Sequence, residues 1–270
     1  MTTATASASL AVALLFASLL AGTVFGDDII PIIRMPLLER FHAWQAEYNR
    51  TYATPEEFQY RFRVYCENVK FIETMNRPGS SYELGENQFT DLTQEEFEDM
   101  YLMKLNEVAS APEAMGQLGT MNAGGTSGGG NTDEAPNYVD WRTKEAVTPC
   151  RRDKLGHHAA TIRGGWAVQR NNEAMLERAV ARQPVTVLIN ASRAFKSYKR
   201  GVFSGPCNTS LNHAVTVVGY GADTGGRKYW IVKNSWGQTW GENGYVRLER
   251  RVSSSKGMCG IAMAPYYPVM

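Results

Sequence analysis

Charge of one sign is what these 270 residues have least of: 28 Lys and Arg stand against 27 Asp and Glu, a formal net charge of +1. That balance removes the electrostatic basis for a nucleic-acid or membrane-surface partner. Histidine and cysteine are scarce, four of each. His157 and His158 are adjacent, so their side chains diverge, and no cysteine or acidic cluster completes a metal site around them. No metal and no cofactor is expected. Long apolar runs are absent apart from residues 10–21, which are too few to span a bilayer comfortably. Gly22-Thr23-Val24-Phe25-Gly26 and then Asp27-Asp28 follow, with Val24 and Gly26 where a signal peptidase reads small residues. Residues 1–26 therefore read as a cleaved signal peptide, with only the terminal amine as positive charge ahead of the apolar run. No internal repeat is present.

What the chain does have is ordinary globular material, 43% hydrophobic and 20% charged. Entry into the secretory pathway makes disulfides possible. Cys66, Cys150, Cys207 and Cys259 allow three connectivities, and the count alone does not choose among them. Asn49, Asn190 and Asn208 each open an Asn-X-Ser/Thr sequon, a glycosylation site wherever its loop is exposed. An extracellular or lysosomal/vacuolar destination and a monomer are expected.

Local chemistry marks out the elements. Thr54-Pro55-Glu56-Glu57 predicts a helix start, with Thr54 as cap, Pro55 in the first turn and Glu57 closing a capping box. Phe58, Phe62, Tyr65, Val69 and Ile72 then form one apolar stripe, and Glu57 stands four residues from Arg61, where the two can pair. Thr93-Gln94-Glu95-Glu96 repeats the capping-box spacing. Residues 116–133 are Gly, Ser, Thr and Asn in the main and read as a flexible linker, accessible to processing proteases. Beyond it, a helix is predicted over 173–182 with Asn171 or Asn172 as cap. Strands are predicted over 184–189, 214–220, 229–233 and 245–248, from β-branched and aromatic runs bounded by Gly and Asn.

Two spaced patterns in the first half resemble those of a known family. Glu57, Arg61, Val64, Tyr65, Asn68, Ile72 and Asn76 match the ERFNIN pattern of cathepsin-L-type propeptides, with Tyr65 in place of the usual Phe. Gly85, Asn87, Phe89 and Asp91 match its GNFD companion. In the second half, Leu211-Asn212-His213-Ala214-Val215, Lys233-Asn234-Ser235-Trp236-Gly237 and Trp240-Gly241-Glu242-Asn243-Gly244-Tyr245 resemble the His and Asn segments of papain-like cysteine peptidases. Residues 135–142 and 146–149 resemble the start of the mature enzyme.

The resemblance implies an α+β protein. A signal peptide (1–26) precedes a helical inhibitory propeptide (27–115), the linker (116–133) and a papain-like domain (134–270). It implies His213 as general base and later general acid, Asn234 orienting its ring and Trp236 shielding their bond from water. Leu211, Ala214 and Ala264 would form an apolar specificity pocket, and Cys207 and Cys259 a disulfide. Partners would be peptide or protein substrates, the chain's own propeptide, or related cysteine peptidases that a detached propeptide would inhibit.

One part of the pattern is missing. The family's Cys-Gly-Ser-Cys-Trp nucleophile segment and the oxyanion Gln before it are nowhere in the chain. Pro149 runs directly into Cys150-Arg151-Arg152-Asp153, which resembles a later part of the domain, as do residues 160–173. The interval from Pro149 to His213 is less than half the roughly 130–150 residues that separate nucleophile and His in the family. Most of the helical lobe is therefore absent, with activity expected to be lost. The uncovered sheet face and Trp141 would be exposed.

Overall fold

In the computed structural model the described residues are 30–104, 119–120, 135–148 and 164–269. The signal-peptide segment, most of the linker, Cys150 and the His157-His158 pair lie outside them. The chain divides at Glu47 into two compact units. The first contains helix α1 (Ile30–Glu47), in which Phe41 stacks on Trp44 with ring centroids 5.7 Å apart.

The second unit opens with α2 (Pro55–Met75). Thr54 caps it by accepting from Glu57 N at 3.2 Å, but the Glu57 carboxylate accepts from Ala53 N at 2.9 Å, one residue beyond the expected box. Arg61 does not pair along its own helix. It crosses to Glu96 at 2.7 Å and to the Asp91 carbonyl at 3.0 Å, because the next helix offers a partly buried carboxylate. That helix, α3 (Gln94–Tyr101), has the full capping box between Thr93 and Glu96. Between the two helices, β1 (Tyr82–Leu84) leaves for the sheet.

The remaining strands are β2 (Gly119–Thr120), β3 (Val139–Asp140), β4 (Gly164–Ala167), β5 (Val185–Ile189), β6 (Tyr198–Phe203), β7 (His213–Ala222), β8 (Lys228–Lys233), β9 (Tyr245–Glu249) and β10 (Tyr266–Val269). With β1 they form one sheet in the order β1-β6-β9-β8-β7-β5-β10-β4-β2, and β3 pairs with β7. The centre, β5-β7-β8-β9, is antiparallel. The β7–β8 register shifts between Val217 and Gly219, and β3 pairs antiparallel with β7 at Gly219 and Tyr220. A side chain at Gly219 would put its Cβ 2.2 Å from the Val139 carbonyl oxygen, so glycine is required there. Helix α4 (Glu173–Arg182) begins at Asn172, whose side chain accepts from Met175 N.

Alternate residues of the central strands, among them Val185, Val187, Val217, Trp230, Val232, Val246 and Leu248, point into a core. Ile72, Leu84, Phe89, Leu92 and Phe97 of the N-terminal helical segment belong to the same continuous cluster. Each such side chain contributes about 1.5–3 kcal/mol on burial, so this segment is part of the core.

Two expectations are corrected. The opposite face of the central strands is not a bare apolar surface, since Thr186, Ala214, Thr216 and Lys233 occupy it near the cleft. Among the described residues the exposed large apolar side chains are Tyr60, Met100, Tyr138 and Trp166, none on β5, β7, β8 or β9. Trp141 is half-buried. Its Nε1–H donates to the Val180 carbonyl at 2.7 Å, and Lys144 Nζ lies 4.5 Å over its ring.

Candidate active site

His213 is the first residue of β7, and its position is set from both sides. Its strand partner is Ile189 of β5. Just before it, Asn212 N donates to the Ile189 carbonyl at 3.0 Å and Asn212 Oδ1 accepts from Ala191 N at 2.7 Å. Asn234 follows β8, held by its N–H to the Gly244 carbonyl at 2.9 Å. The ladder between β7 and β8 thus brings together two residues 21 apart in sequence: His213 Nε2 lies 2.8 Å from Asn234 Oδ1.

The direction of that bond follows from a second one. Ser235 N–H also points at Asn234 Oδ1, at 2.8 Å, which fixes the amide oxygen as acceptor. Nε2 must therefore carry the proton, and Nδ1 is the basic nitrogen. The ring is 4% exposed, and burial pulls its pKa down to about 4 although the Asn234 bond works in the opposite direction. At neutral pH the imidazole is uncharged.

Trp236 lies nearly parallel over this pair, 4.7 Å from the His213 ring at 26°. Phe89, Phe97, Phe195 and Trp240 meet the Trp236 ring edge to face at 5.0–5.7 Å. Two of these four rings come from the N-terminal helical segment, so the hydrophobic cover over the His–Asn bond is built by both halves of the chain.

Beside the pair opens a cleft of about 600 Å³, lined by residues 213–216 of β7, by Lys233, Asn234 and Ser235, by Thr148 and Thr186, and by Tyr101 and Met103. Lys233 Nζ donates to Thr148 Oγ1 at 3.1 Å. The chain leaving α3 is fastened here, with Met103 N donating to the Asn212 carbonyl at 2.8 Å, one residue from His213.

Of the three residues expected to form an apolar pocket, Ala214 lines the cleft, while Leu211 and Ala264 do not. Leu211 instead sits against Gly260, where an added Cβ would meet Leu211 Cδ2 at 2.8 Å. Cys207 and Cys259 are joined by a disulfide, and Cys66 on α2 is a half-buried thiol. Asn190 is named as a glycan site only where its loop is exposed. It is 5% exposed, its amide donating to the Ser210 carbonyl and accepting from Asn208 N, so the folded chain offers no free amide there. Asn49 and Asn208 are exposed. The resemblance implies that the propeptide region occupies the cleft, but it does not single out Tyr101 and Met103, because nothing local marks which residues end beside a site more than a hundred residues later.

Comparison with known proteins agrees with this geometry. Residues 122–269 match the model of the papain family cysteine protease, and residues 41–97 match that of the cathepsin propeptide inhibitor domain (I29). The chain is 35% identical to fruit bromelain of Ananas comosus, with 87% of each chain covered. That alignment runs over 317 residues while drawing on 87% of this 270-residue chain, so the relative carries a stretch that this one passes over. Among solved structures, a recombinant stem bromelain precursor is similar with a TM-score of 0.75 at 34% identity, covering 87% of this chain and 99% of the other. The proform of Amb a 11, a ragweed pollen cysteine protease, is similar with a TM-score of 0.72 at 26% identity, covering 87% and 94%. With more than half its length matched by the family model and its propeptide domain preceding that match, this chain belongs to the papain family of cysteine proteases.

Proposed function

We propose that His213 and Asn234 are the acid–base half of a cysteine-peptidase site and that this chain, as it stands, does not complete it. The single observation that carries the first part is the Nε2–Oδ1 bond of 2.8 Å beneath Trp236, which leaves Nδ1 as the nitrogen able to take a proton. In a complete site a thiol gives that proton to the imidazole and its sulfur attacks the scissile carbonyl carbon. The imidazolium then protonates the leaving amine as the C–N bond breaks, and water hydrolyses the thioester to free the sulfur.

The second part rests on the sequence and on two orphaned atoms. No Cys-Gly-Ser-Cys-Trp segment occurs anywhere in the chain. Among the described residues, Asn234 Nδ2 and Trp236 Nε1 are buried and meet no acceptor. Buried donors are normally paired, and two that meet no acceptor among the described residues, beside one imidazole, support this reading. Entry into the secretory pathway through residues 1–26 belongs to the same reading, and so does a monomeric product. The test is hydrolysis of a fluorogenic peptide by the full chain after its linker is cut. The rate should equal the buffer blank and be the same in His213→Ala. Turnover that disappears in His213→Ala would overturn the proposal.

A second reading is favoured by the extent to which the propeptide segment is built onto the sheet. Residues 27–115, detached at the linker, would bind and inhibit an intact relative. Absence of inhibition at micromolar concentration of that fragment counts against it.

A further inference from the structure

Helix α5 (Arg193–Lys196) is one turn long, capped by Ser192, and carries two cations three residues apart. Both are turned onto the propeptide segment, away from the cleft. Arg193 Nη2 donates to Asn68 Oδ1 at 3.1 Å and to the Glu67 carbonyl at 3.3 Å, and its guanidinium lies 4.3 Å over the Phe71 ring. Lys196 is 1% exposed. Its Nζ donates to the Leu92 carbonyl at 3.1 Å and stands 5.5 Å from the centre of Phe97.

These contacts close into a ring. Asn68 Nδ2 donates to the carbonyls of Thr90 and Leu92, both at 2.9 Å, so Leu92 O accepts from Asn68 and from Lys196 together. The circuit runs from Arg193 to Asn68, to Leu92, to Lys196 and back through one turn of α5. The Lys196 carbonyl adds an outer strap, accepting from Asn87 Nδ2 at 2.8 Å and from Trp240 Nε1 at 3.0 Å.

Burying an ammonium costs stability, and one neutral carbonyl repays little of it. The Phe97 ring and the carboxylates of Glu95, Asp91 and Glu96 offset only part of that cost, since burial still lowers the Lys196 pKa. Selectivity explains a lysine there: once the propeptide segment covers α5, each cation must find an acceptor at one place or remain unpaired.

We propose that Arg193 and Lys196 are the residues by which the sheet lobe recognises its propeptide, selecting a partner helix with an amide side chain at the Asn68 position and a backbone carbonyl outside regular structure at that of Leu92. The assignment is independent of whether His213 has a thiol to serve, and extends to a propeptide supplied by a second chain.

The pH dependence follows from what faces Lys196. Burial, helped by Arg193, lowers its pKa from 10.5 to about 8, against the opposing carboxylates of Glu95, Asp91 and Glu96. Release of the propeptide returns the ammonium to water and to its ordinary value. The released form therefore binds more protons between those two values, and retention strengthens as pH rises from about 8 towards 10. Below about 8 this contribution is constant.

The experiment uses the full chain with a site-specific protease sequence inserted in the Gly-rich linker, cut after folding, with the release rate of the N-terminal piece measured. Arg193→Ala should speed release about tenfold, the scale of a hydrogen bond to a charged group. Asn68→Ala should act similarly, and because the two share one bond the double variant should be slower than the product of the two single effects. Lys196→Met, close to it in length, should remove the strengthening between pH 8 and 10 while near-ultraviolet circular dichroism stays unchanged. A double variant whose effect is the product of the two singles, an Arg193→Ala rate equal to wild type, or a Lys196→Met chain that keeps the pH dependence would each overturn the proposal.

Discussion

A histidine held neutral by burial is a base only when a neighbour has a proton to give. His213, with its pKa drawn down to about 4, is uncharged at neutral pH. Its imidazole carbon resonances should titrate with a midpoint near 4 in place of the ordinary 6.5. A midpoint at or above 6 would mean that the ring is solvated or faces an anion. The shift also has a consequence for stability. Because the unfolded chain takes up a proton on this histidine between 6.5 and 4 and the folded chain does not, stability falls as pH drops through that window, by about 3 kcal/mol in all. In His213→Gln that part of the acid sensitivity should vanish, as measured by urea titrations at pH 7 and pH 4.5. His213, Asn234 and Trp236 were legible in the sequence because each lies in an unbroken string of matched residues. Lys196 was not. Its burial is created by Leu92, 104 residues earlier, and no local pattern separates it from a solvated lysine.

Helix ends were the most readable elements, since a cap is a property of four consecutive residues. Thr54, Thr93 and Asn172 all cap as their spacing indicates. The four strands read from β-branched runs appear within about a residue or two of their predicted ends. Among the elements left unread, β1, β2, β3, β4, β6, β10 and α5 are short or rely on partners far away, as β1 does on β6. The Glu57–Arg61 pair failed for a related reason: a helix-surface pairing rule holds where nothing better approaches, and Glu96 does. Glu96 consequently serves two elements, closing the α3 box and receiving Arg61. Thr93→Ala should cost about 1 kcal/mol, as cap losses do, read as a shift of the urea midpoint. Glu96→Gln should cost at least as much, since it weakens both the cap and the tie to α2. Equal midpoints for wild type and Glu96→Gln would show that Arg61 finds another acceptor without loss.

At the scale of the second unit, the propeptide segment and the sheet share one core, with Phe89 and Phe97 against Trp236 as the join. The sequence implied a sheet without most of its helical lobe and with an apolar face open to solvent; the first stands, while the face carries Thr186, Thr216 and Lys233 near the cleft. Phe97→Ala should therefore lower the stability of the whole unit by about 3–5 kcal/mol, within a single transition followed by tryptophan fluorescence. Two transitions, with only the first shifted, would show that the segments unfold independently. Family membership is clear because the core, the disulfide and the His–Asn pair all lie outside the stretch that the chain passes over. The central claim is that the acid–base pair stands without a nucleophile. It is tested most directly by the intact mass of the linker-cut chain after incubation with an epoxide probe directed at active-site thiols. No stoichiometric adduct is expected under conditions that fully label an intact relative. A one-to-one adduct that is lost in Cys150→Ser and in His213→Ala would contradict it.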